Sequence, residues 1–326
     1  MSSSQSAQPT EPDPAQPVLG ALDPSALLAF GPQSTIRLVV GEPIVNLLYL
    51  RALIMEVAHP SVGAAVADHS RFQERPIHRL GATSDAALRL IFGQRDEPMG
   101  AARQIYRFHD HINGATAGGR YTAHDASLLL WVWATLVDNC DLAFCRWVRP
   151  YRPGEREAFY GDMCAFARFF GIPAALIPPD RPAFAAYLDG MLDGDILGST
   201  ATSGRVVRDV LWFRRWFLPP PAMSALRVLA IGTLDPRLAE RLGLHLTPTE
   251  GRRFDRLDEF LRRHYRRLPP GRVNLPYRYL ALRRFLVRMD RPGRFPALGR
   301  RSHACRRPFQ FRPWPRTTWA AAASDG

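Results

Sequence analysis

Residues 125–148 read DASLLLWVWATLVDNCDLAFCRWV and form the most apolar stretch of the chain. Leucine, valine and tryptophan occupy nearly every side of a helical wheel here, so the segment predicts a helix that is apolar all round. Such a helix belongs at the centre of a fold. Its uncharged run, Ala126 to Val137, is far shorter than the ~20 residues that a membrane-spanning helix needs. The stretch therefore predicts a buried core helix.

On both sides of this segment, apolar residues recur at helical spacing between proline and glycine breaks. One helix begins at Glu42-Pro43 and should end near His59, because Pro60 disfavours helical dihedral angles in the residue before it. Strict two-residue alternation is nearly absent, and only Thr35 to Val40 is a plausible strand. The pattern predicts an all-α, multi-helix bundle, with further helices at residues 61–72, 77–92, 96–113, 154–170, 181–192, 204–216, 221–232, 235–243, 249–267 and 275–288.

Composition limits the class of protein. With 326 residues and 46% hydrophobic content, the chain can build a sizeable core and is neither collagenous nor wholly disordered. Four cysteines, none in a C-x-x-C pair, exclude a disulfide-dense scaffold. The opening residues lack the basic and apolar regions of a secretory signal. We predict a disordered segment at 1–20, an all-α catalytic domain at 21–289 and an Arg/Pro-rich tail at 290–326.

Every one of the 43 basic residues is arginine, and their distribution is uneven. Residues 251–326 hold 20 arginines against 5 acidic residues, a net charge of +15. The first 250 residues hold 23 arginines against 25 acidic residues, a net charge of −2. A basic surface of this kind could meet phosphates or an anionic membrane. A solvated, partly disordered terminus explains the same charge without a partner, and we favour that interpretation.

The familiar catalytic motifs are missing. The sequence contains no G-x-G-x-x-G, G-x-x-x-x-G-K-[ST], G-x-S-x-G or H-E-x-x-H motif, so nucleotide-binding loops, serine-hydrolase elbows and zincin sites lose their usual support. What the first 125 residues offer instead is a set of histidines, at His59, His69, His78, His109, His111 and His124.

His109 lies in IYRFHDHING, late in the fourth predicted helix. It is placed beside an apolar stripe of Ile105, Phe108 and Ile112, and a histidine so placed in a helical protein can serve as an axial ligand of haem iron. His111 is rotated by roughly 200° from it on an ideal helix, so both cannot face one pocket. The competing interpretation is a partly buried histidine bonded to a backbone carbonyl.

Arg79 and Thr83 form a second group, within HRLGAT. At positions i and i+4 they share one helical face. An arginine beside a hydroxyl can donate hydrogen bonds to dioxygen, to a propionate or to another carboxylate. A surface arginine next to a capping threonine is the alternative.

A longer series of motifs carries a resemblance. VAHPSVGAAVADHSRF, RLGAT, IFG and FHDHINGATAGGRYTAHDASLLLWVWATLVDN occur in this order, followed by EREAFYGDMCAFARFFGIP, LIPPD and IGTLDPRLAERLGLHLT. The series covers about residues 35–285. In order and spacing it resembles the catalytic-domain family of the latex-clearing protein (rubber oxygenase) and the MpaB oxygenase.

This resemblance implies a globin-like all-α fold around one haem b (iron protoporphyrin IX), with dioxygen as co-substrate. His109 matches the family's proximal iron ligand, in the H-x-x-[VI]-x-G pattern that ends at Gly114. It is therefore the implied metal-binding residue. Arg79 and Thr83 match the R-x-x-x-T pair of the haem pocket, which implies cofactor-binding and catalytic roles for both.

His59 and Pro60 match the H-P signature that closes the family's first conserved helix, a pair that we interpret as structural. The chain also departs from the family pattern. Some rubber oxygenases place a lysine, a distal iron ligand, where this chain has Ala82. Glu56 and Asp68 are the acidic residues nearest to the family's distal glutamate, and neither matches it convincingly.

The resemblance predicts a haem-dependent oxygenase for an unsaturated, hydrophobic, isoprenoid-like substrate, with oxidative cleavage of a carbon–carbon double bond as a candidate reaction. Trp131 and Trp133 could lie near the macrocycle, although aromatic residues on an apolar helix are more often plain core. We expect a cytoplasmic protein, at most peripheral to an anionic membrane through its C-terminal tail, without a nucleic-acid partner.

Two other functions compete with this one. A non-haem metal enzyme would use His109, His111 or His124 with Asp110 or Asp125, but a His-x-His pair converges poorly on a helix, so we rank it below the haem site. The other is a non-catalytic helical protein that binds haem or a lipid, with its basic tail against an anionic partner.

Overall fold

The computed structural model describes residues 30–69, 85–93, 97–198, 200–212 and 220–266. Its two short strands, β1 (Asn113–Thr116) and β2 (Gly119–Thr122), form an antiparallel hairpin. All other regular structure is helical, which confirms the predicted all-α, multi-helix fold. The α-helices are α1 (Thr35–Val40), α2 (Tyr49–Ala58), α3 (Pro60–His69), α4 (85–92), α5 (Glu97–His109), α6 (Ala126–Ala143), α7 (Glu155–Phe169), α8 (Arg181–Asp193), α9 (Ala201–Leu211), α10 (Pro220–Gly232), α11 (Pro236–Arg241) and α12 (Pro248–Tyr265).

The chain also forms short 3₁₀ helices at Pro43–Leu48 and Ala174–Leu176. Pro43 occupies the first turn of its helix, as predicted, and α2 follows directly and ends at Ala58. The predicted helix at 275–288, the N-terminal segment at 1–20 and the tail at 290–326 lie outside the described residues.

The predicted core helix is α6. Asp125 caps its N-terminus, since the side chain accepts a hydrogen bond from the Ser127 backbone amide at 2.9 Å and satisfies a free N–H of the first turn. The helix then widens into a π-helical turn, Phe144–Val148, where the Arg149 amide donates to the Phe144 carbonyl five residues back. This continuous rod gives the other helices a common surface to pack on.

α6 lies between two apolar clusters. On one side Trp131, which is fully buried, joins residues of α2 and α9, and its indole donates to the Met55 carbonyl at 3.1 Å. On the other side Trp133 joins residues of α1 and α7, and its indole donates to the Met163 carbonyl at 2.7 Å. Both side chains are buried and both indole N–H groups are bonded to backbone, as is typical of core tryptophans.

One sequence prediction was wrong at the start of the described chain, because Thr35–Val40 is helix α1 and not a strand. Ile36 and Val39 are both completely buried, three residues apart on one helical face. The Asp162 carboxylate of α7 accepts a hydrogen bond from the Ile36 amide at 2.9 Å. This long-range cap, invisible in a sequence window, satisfies the first turn and selects the helix.

A second correction concerns the fourth predicted helix, expected to run to Asn113. Helix α5 ends at His109, and the chain enters the β1–β2 hairpin, which the sequence analysis missed. Gly119 opens β2 with a φ of +123°, a conformation that favours glycine. Tyr121 is the buried residue of these two strands, and neither strand shows a clear apolar alternation. The sequence periodicity therefore did not predict them.

An ion pair at the start of α7 makes stability depend on pH. Two hydrogen bonds from Arg149, at 2.6 and 2.9 Å, lower the pKa of Glu155 to about 2. Because the folded pKa lies below the unfolded value, the carboxylate stabilises the fold above about pH 4.5, and this stabilisation is lost as the pH falls towards 2. We expect Glu155→Gln to lower the free energy of unfolding by about 1 kcal/mol at pH 7, discounted for partial exposure. Urea titrations at pH 7, 4 and 3 should show this difference shrinking with acidification; a constant difference would contradict it.

Two parts of the chain pass a length and hydropathy test for membrane spans. The segment Ala126–Val148 does so alone, and Pro43–Ala58 does so together with Pro60–His69 across a bend of 107°. Of the most apolar 18 residues of Ala126–Val148, 67% are buried inside the protein. A core helix satisfies the same test, so the result is weak evidence for a membrane span.

Candidate functional site

The candidate site lies where α5 ends and the hairpin begins. His109 is the last residue of α5, and its carbonyl accepts a hydrogen bond from the Ile112 amide at 2.9 Å, which turns the chain towards β1. The hairpin returns the chain to Asp125, the N-cap of α6. His109 therefore lies at the end of α5, in the segment that leads to the first turn of α6. The apolar stripe predicted beside it is only partly formed. Phe108 is 61% exposed, and Ile112 lies beyond the helix.

The imidazole of His109 is half-buried and makes no hydrogen bond to any residue that the structure describes. Its pKa is lowered to about 4, mainly by burial and also by the nearby His124, while Asp110 partly opposes the shift. The ring is therefore neutral at physiological pH, with a free nitrogen lone pair. A neutral, unpartnered imidazole is the form that binds a metal, and the competing carbonyl-bonded histidine is not observed among the described residues.

His124 lies directly against this ring. The two imidazole centroids are 6.1 Å apart, at an interplanar angle of 76°. His124 Nε2 lies 2.8 Å from Asp110 Oδ1, and the Tyr106 ring lies 4.3 Å from the His124 ring. The sequence analysis considered His124 and Asp110 only as metal ligands and did not consider Tyr106. The hairpin that brings His124 back to α5 was not predicted, so no local signal could reveal this contact.

The hairpin is anchored to α3 by two side chains. The Tyr121 hydroxyl donates to Asp68 at 3.1 Å, and His69 Nε2 lies 2.9 Å from the Asn113 carbonyl. Tyr121 pairs with Gly114 across the strands and lies against it. Asp68, named above as a doubtful match for a distal acid, therefore has a structural partner, and His69 is satisfied by backbone.

Gly114 leaves room for the Tyr121 ring. A Cβ at this position would lie 2.6 Å from the Tyr121 oxygen and 2.8 Å from its ring carbon Cζ. We expect Gly114→Ala to lower the free energy of unfolding by about 1–3 kcal/mol, because the buried ring must move. Urea denaturation measures this change. Gly118→Ala is the matched control, because its nearest neighbour, Thr116 Oγ1, would be 3.6 Å away; equal losses in both variants would contradict the steric explanation.

His59 and Pro60 form the corner between α2 and α3. His59 is buried, its Nδ1 accepts a hydrogen bond from the Ser61 amide at 3.3 Å, and its carbonyl accepts one from Gly63 at 2.8 Å. Burial lowers its pKa, an effect that Asp125 partly opposes. These contacts agree with the structural role that we assigned to the pair.

The structure describes only some of the other residues that the sequence analysis named. Arg79 and Thr83 lie outside the described residues, as do Ala82 and His78. His111 is exposed beyond the end of α5, so the predicted separation of His109 and His111 holds for a different reason. Glu56 lies on α2 and has a partner of its own.

No three His, Cys, Asp or Glu side chains among the described residues converge to hold a metal ion. The facial triad proposed from His109, His111 or His124 with a carboxylate is therefore not formed in this part of the chain. His124 instead pairs with Asp110, and Asp125 caps α6. A cofactor that needs a single protein ligand fits this donor set, with His109 as that ligand.

Comparison with known protein families identifies the family of the chain. Residues 37–263 match the protein family described as "ER-bound oxygenase mpaB/B'/Rubber oxygenase, catalytic domain". The chain belongs to this oxygenase family. The match begins within α1 and ends within α12, so it includes the candidate site and most of the helical core. The predicted family is confirmed, and with it an oxygenase activity of the oxidoreductase class.

The names of the two similar proteins given below state no activity. Uncharacterized protein Mb2261 of Mycobacterium bovis is 27% identical over 227 residues, which are 67% of this chain and 87% of that protein. Uncharacterized protein Rv2237 of Mycobacterium tuberculosis matches with the same identity and coverage. No solved structure matches the chain significantly. The family description includes the term "ER-bound", which refers to the endoplasmic reticulum and describes the family as a whole.

Proposed function

We propose that this family member is a haem b-dependent oxygenase that uses dioxygen to oxidise an unsaturated, hydrophobic, isoprenoid-like substrate. Family membership supports the oxygenase chemistry. The finer steps of the proposal, haem and the substrate class, rest on the site residues and on the resemblance described above.

The observation that carries the proposal is the state of His109. Its ring is half-buried, neutral and without a hydrogen-bond partner among the described residues, and burial is the main cause of its low pKa. An unpaired imidazole nitrogen in such a place costs free energy unless a ligand uses its lone pair. Haem iron needs one such ligand from the protein, whereas a non-haem iron site needs three.

When bound, haem supplies the iron at which dioxygen is activated. The chain's own residues perform the other tasks in the proposal. His109 would hold the cofactor. Arg79 and Thr83, four residues apart in the sequence, would donate hydrogen bonds to dioxygen or to a propionate. Ala82 carries no side-chain group that could bind a metal.

The test is the absorption spectrum of the full-length protein expressed with adequate haem supply. We expect a Soret band, and a pyridine haemochromogen of the b type at about one haem per chain. A colourless protein that also fails to take up added hemin would remove the haem proposal. Metal analysis then separates the alternative, since a non-haem enzyme would contain iron or zinc without porphyrin.

Oxygen consumption separates an enzyme from a haem carrier. We expect the haem-loaded protein to consume dioxygen in the presence of an unsaturated isoprenoid and not with its saturated analogue. Haem without any turnover on unsaturated substrates would favour the non-catalytic alternative. In that alternative the basic C-terminal quarter contacts an anionic membrane, and liposome binding should weaken steeply with salt.

A further inference from the structure

Among the residues that the structure describes, none makes a hydrogen bond that would fix the rotation of the His109 ring. An imidazole that binds a metal usually donates its second ring nitrogen to a carboxylate or carbonyl, which sets the direction of the lone pair. No described residue does so here. The ring contacts of His109 come from Phe108, its exposed neighbour at 6.3 Å between centroids, and from His124 at 6.1 Å.

Of these two rings, only that of His124 is itself held on several sides. Its Nε2 atom lies 2.8 Å from Asp110 Oδ1, and its ring centroid lies 4.3 Å from the centroid of the Tyr106 ring. Its backbone amide donates to Thr122 Oγ1 at 3.3 Å. The next residue, Asp125, caps α6. His124 is therefore tied to α5 by its side chain and to the core helix by its backbone.

We propose that His124, held by Asp110 and Tyr106, is a positioning residue that keeps the His109 ring in one orientation by edge-to-face packing. The inference rests on the proposed haem ligation by His109 and adds a residue whose role the family description does not state. His124 acts through His109 and does not itself bind the cofactor. Asp110 neighbours His109 in sequence, and it contributes to this positioning by holding the His124 ring.

The physical reason is the cost of orientational freedom. A ring that rotates freely directs its lone pair towards the metal for only part of the time. The affinity of the imidazole for the metal then falls, and the ligand field that it exerts on the metal varies. Packing a rigid ring against it removes this freedom without a hydrogen bond. Losing such a supporting partner typically costs about 10–100-fold in metal affinity.

The experiment uses the haem-loaded full chain and three variants. His124→Ala removes the supporting ring, His124→Phe keeps an aromatic ring but loses the bond to Asp110, and His111→Ala changes an exposed histidine of the same segment as control. The readouts are the rate of haem transfer to excess apomyoglobin, the ferric Soret and electron paramagnetic resonance spectra, and the ferric/ferrous potential. Thermal melts of each variant confirm that it is folded.

We expect His124→Ala to release haem at least about tenfold faster than wild type, with a broadened ferric spectrum and a shifted potential. His124→Phe should release haem within about threefold of wild type, because a ring still supports His109. His111→Ala should match wild type. If His124→Ala releases haem as slowly as His111→Ala, or if His124→Phe fails as badly as His124→Ala, the packing inference is wrong. Wild-type protein without haem would instead overturn the proposed function, and the inference with it.

Discussion

Replacing His109 with alanine should leave the purified protein with less than about a tenth of the haem that the wild type carries. The imidazole is neutral because burial lowers its pKa to about 4, so its lone pair is available at every physiological pH. Alanine offers no ligand, and the neighbouring His124 ring is already held by Asp110 at 2.8 Å and by the Tyr106 ring. The Soret absorbance per chain and the haemochromogen assay measure the loss.

Two further variants separate ligation from folding. His111→Ala changes an exposed histidine two residues away and should keep full haem. His109→Gly opens the same space, and added imidazole should restore part of the haem, since a free imidazole can occupy the vacated position. A His109→Ala protein that retains a full complement of haem would show that another residue binds the iron.

The second large effect concerns stability. Asp258 of α12 is nearly buried and accepts hydrogen bonds from Arg146 at 2.6 and 2.9 Å and from the Trp147 indole at 2.9 Å. Arg262 pairs with the same carboxylate at 3.0 Å. We expect Asp258→Ala to lower the free energy of unfolding by about 3–5 kcal/mol, because it leaves a buried indole N–H and two guanidinium groups without their acceptor. Urea denaturation followed by tryptophan fluorescence measures this loss.

Glu259→Ala is the matched control for that variant. Glu259 is the next residue on α12, and its exposed carboxylate pairs only with Arg263, at i+4 on the same helix. Such a pair contributes about 0.3–0.5 kcal/mol, so its removal should be almost neutral. Asp258→Asn keeps one acceptor oxygen and should fall between the two. Similar losses for Asp258→Ala and Glu259→Ala would mean that the burial of Asp258 does not set its contribution.

The core of the fold could be predicted from local sequence because its signal is local. In α6 nearly every residue is apolar, and the proline and glycine breaks mark several other helix ends by restricting the backbone itself. The prediction failed at Thr35–Val40, a segment with four β-branched residues that the sequence made a plausible strand. There the deciding group was Asp162, which lies 126 residues from Ile36 along the chain and accepts its amide hydrogen.

The candidate site was predicted residue by residue but not as an arrangement. His109 could be recognised from its motif, and its neutral, unpartnered state then followed from burial that only the folded chain creates. His124 lies fifteen residues later and reaches His109 through a hairpin with weak apolar alternation, so no periodicity could place the two rings together.

By itself, the sequence determined the helical class, the family and the buried character of α6, and it named His109 as a candidate ligand. These properties depend on side-chain type, backbone restriction and spacing within a few turns, all of which are written along the chain. Tertiary structure decided that Thr35–Val40 is a helix, that α5 ends at His109, and that His124, itself held by Asp110 and Tyr106, lies against the His109 ring. Each of these outcomes depends on a hydrogen bond or a ring contact between residues that are distant in sequence. Such residues become neighbours only when the helices bury their apolar faces against α6.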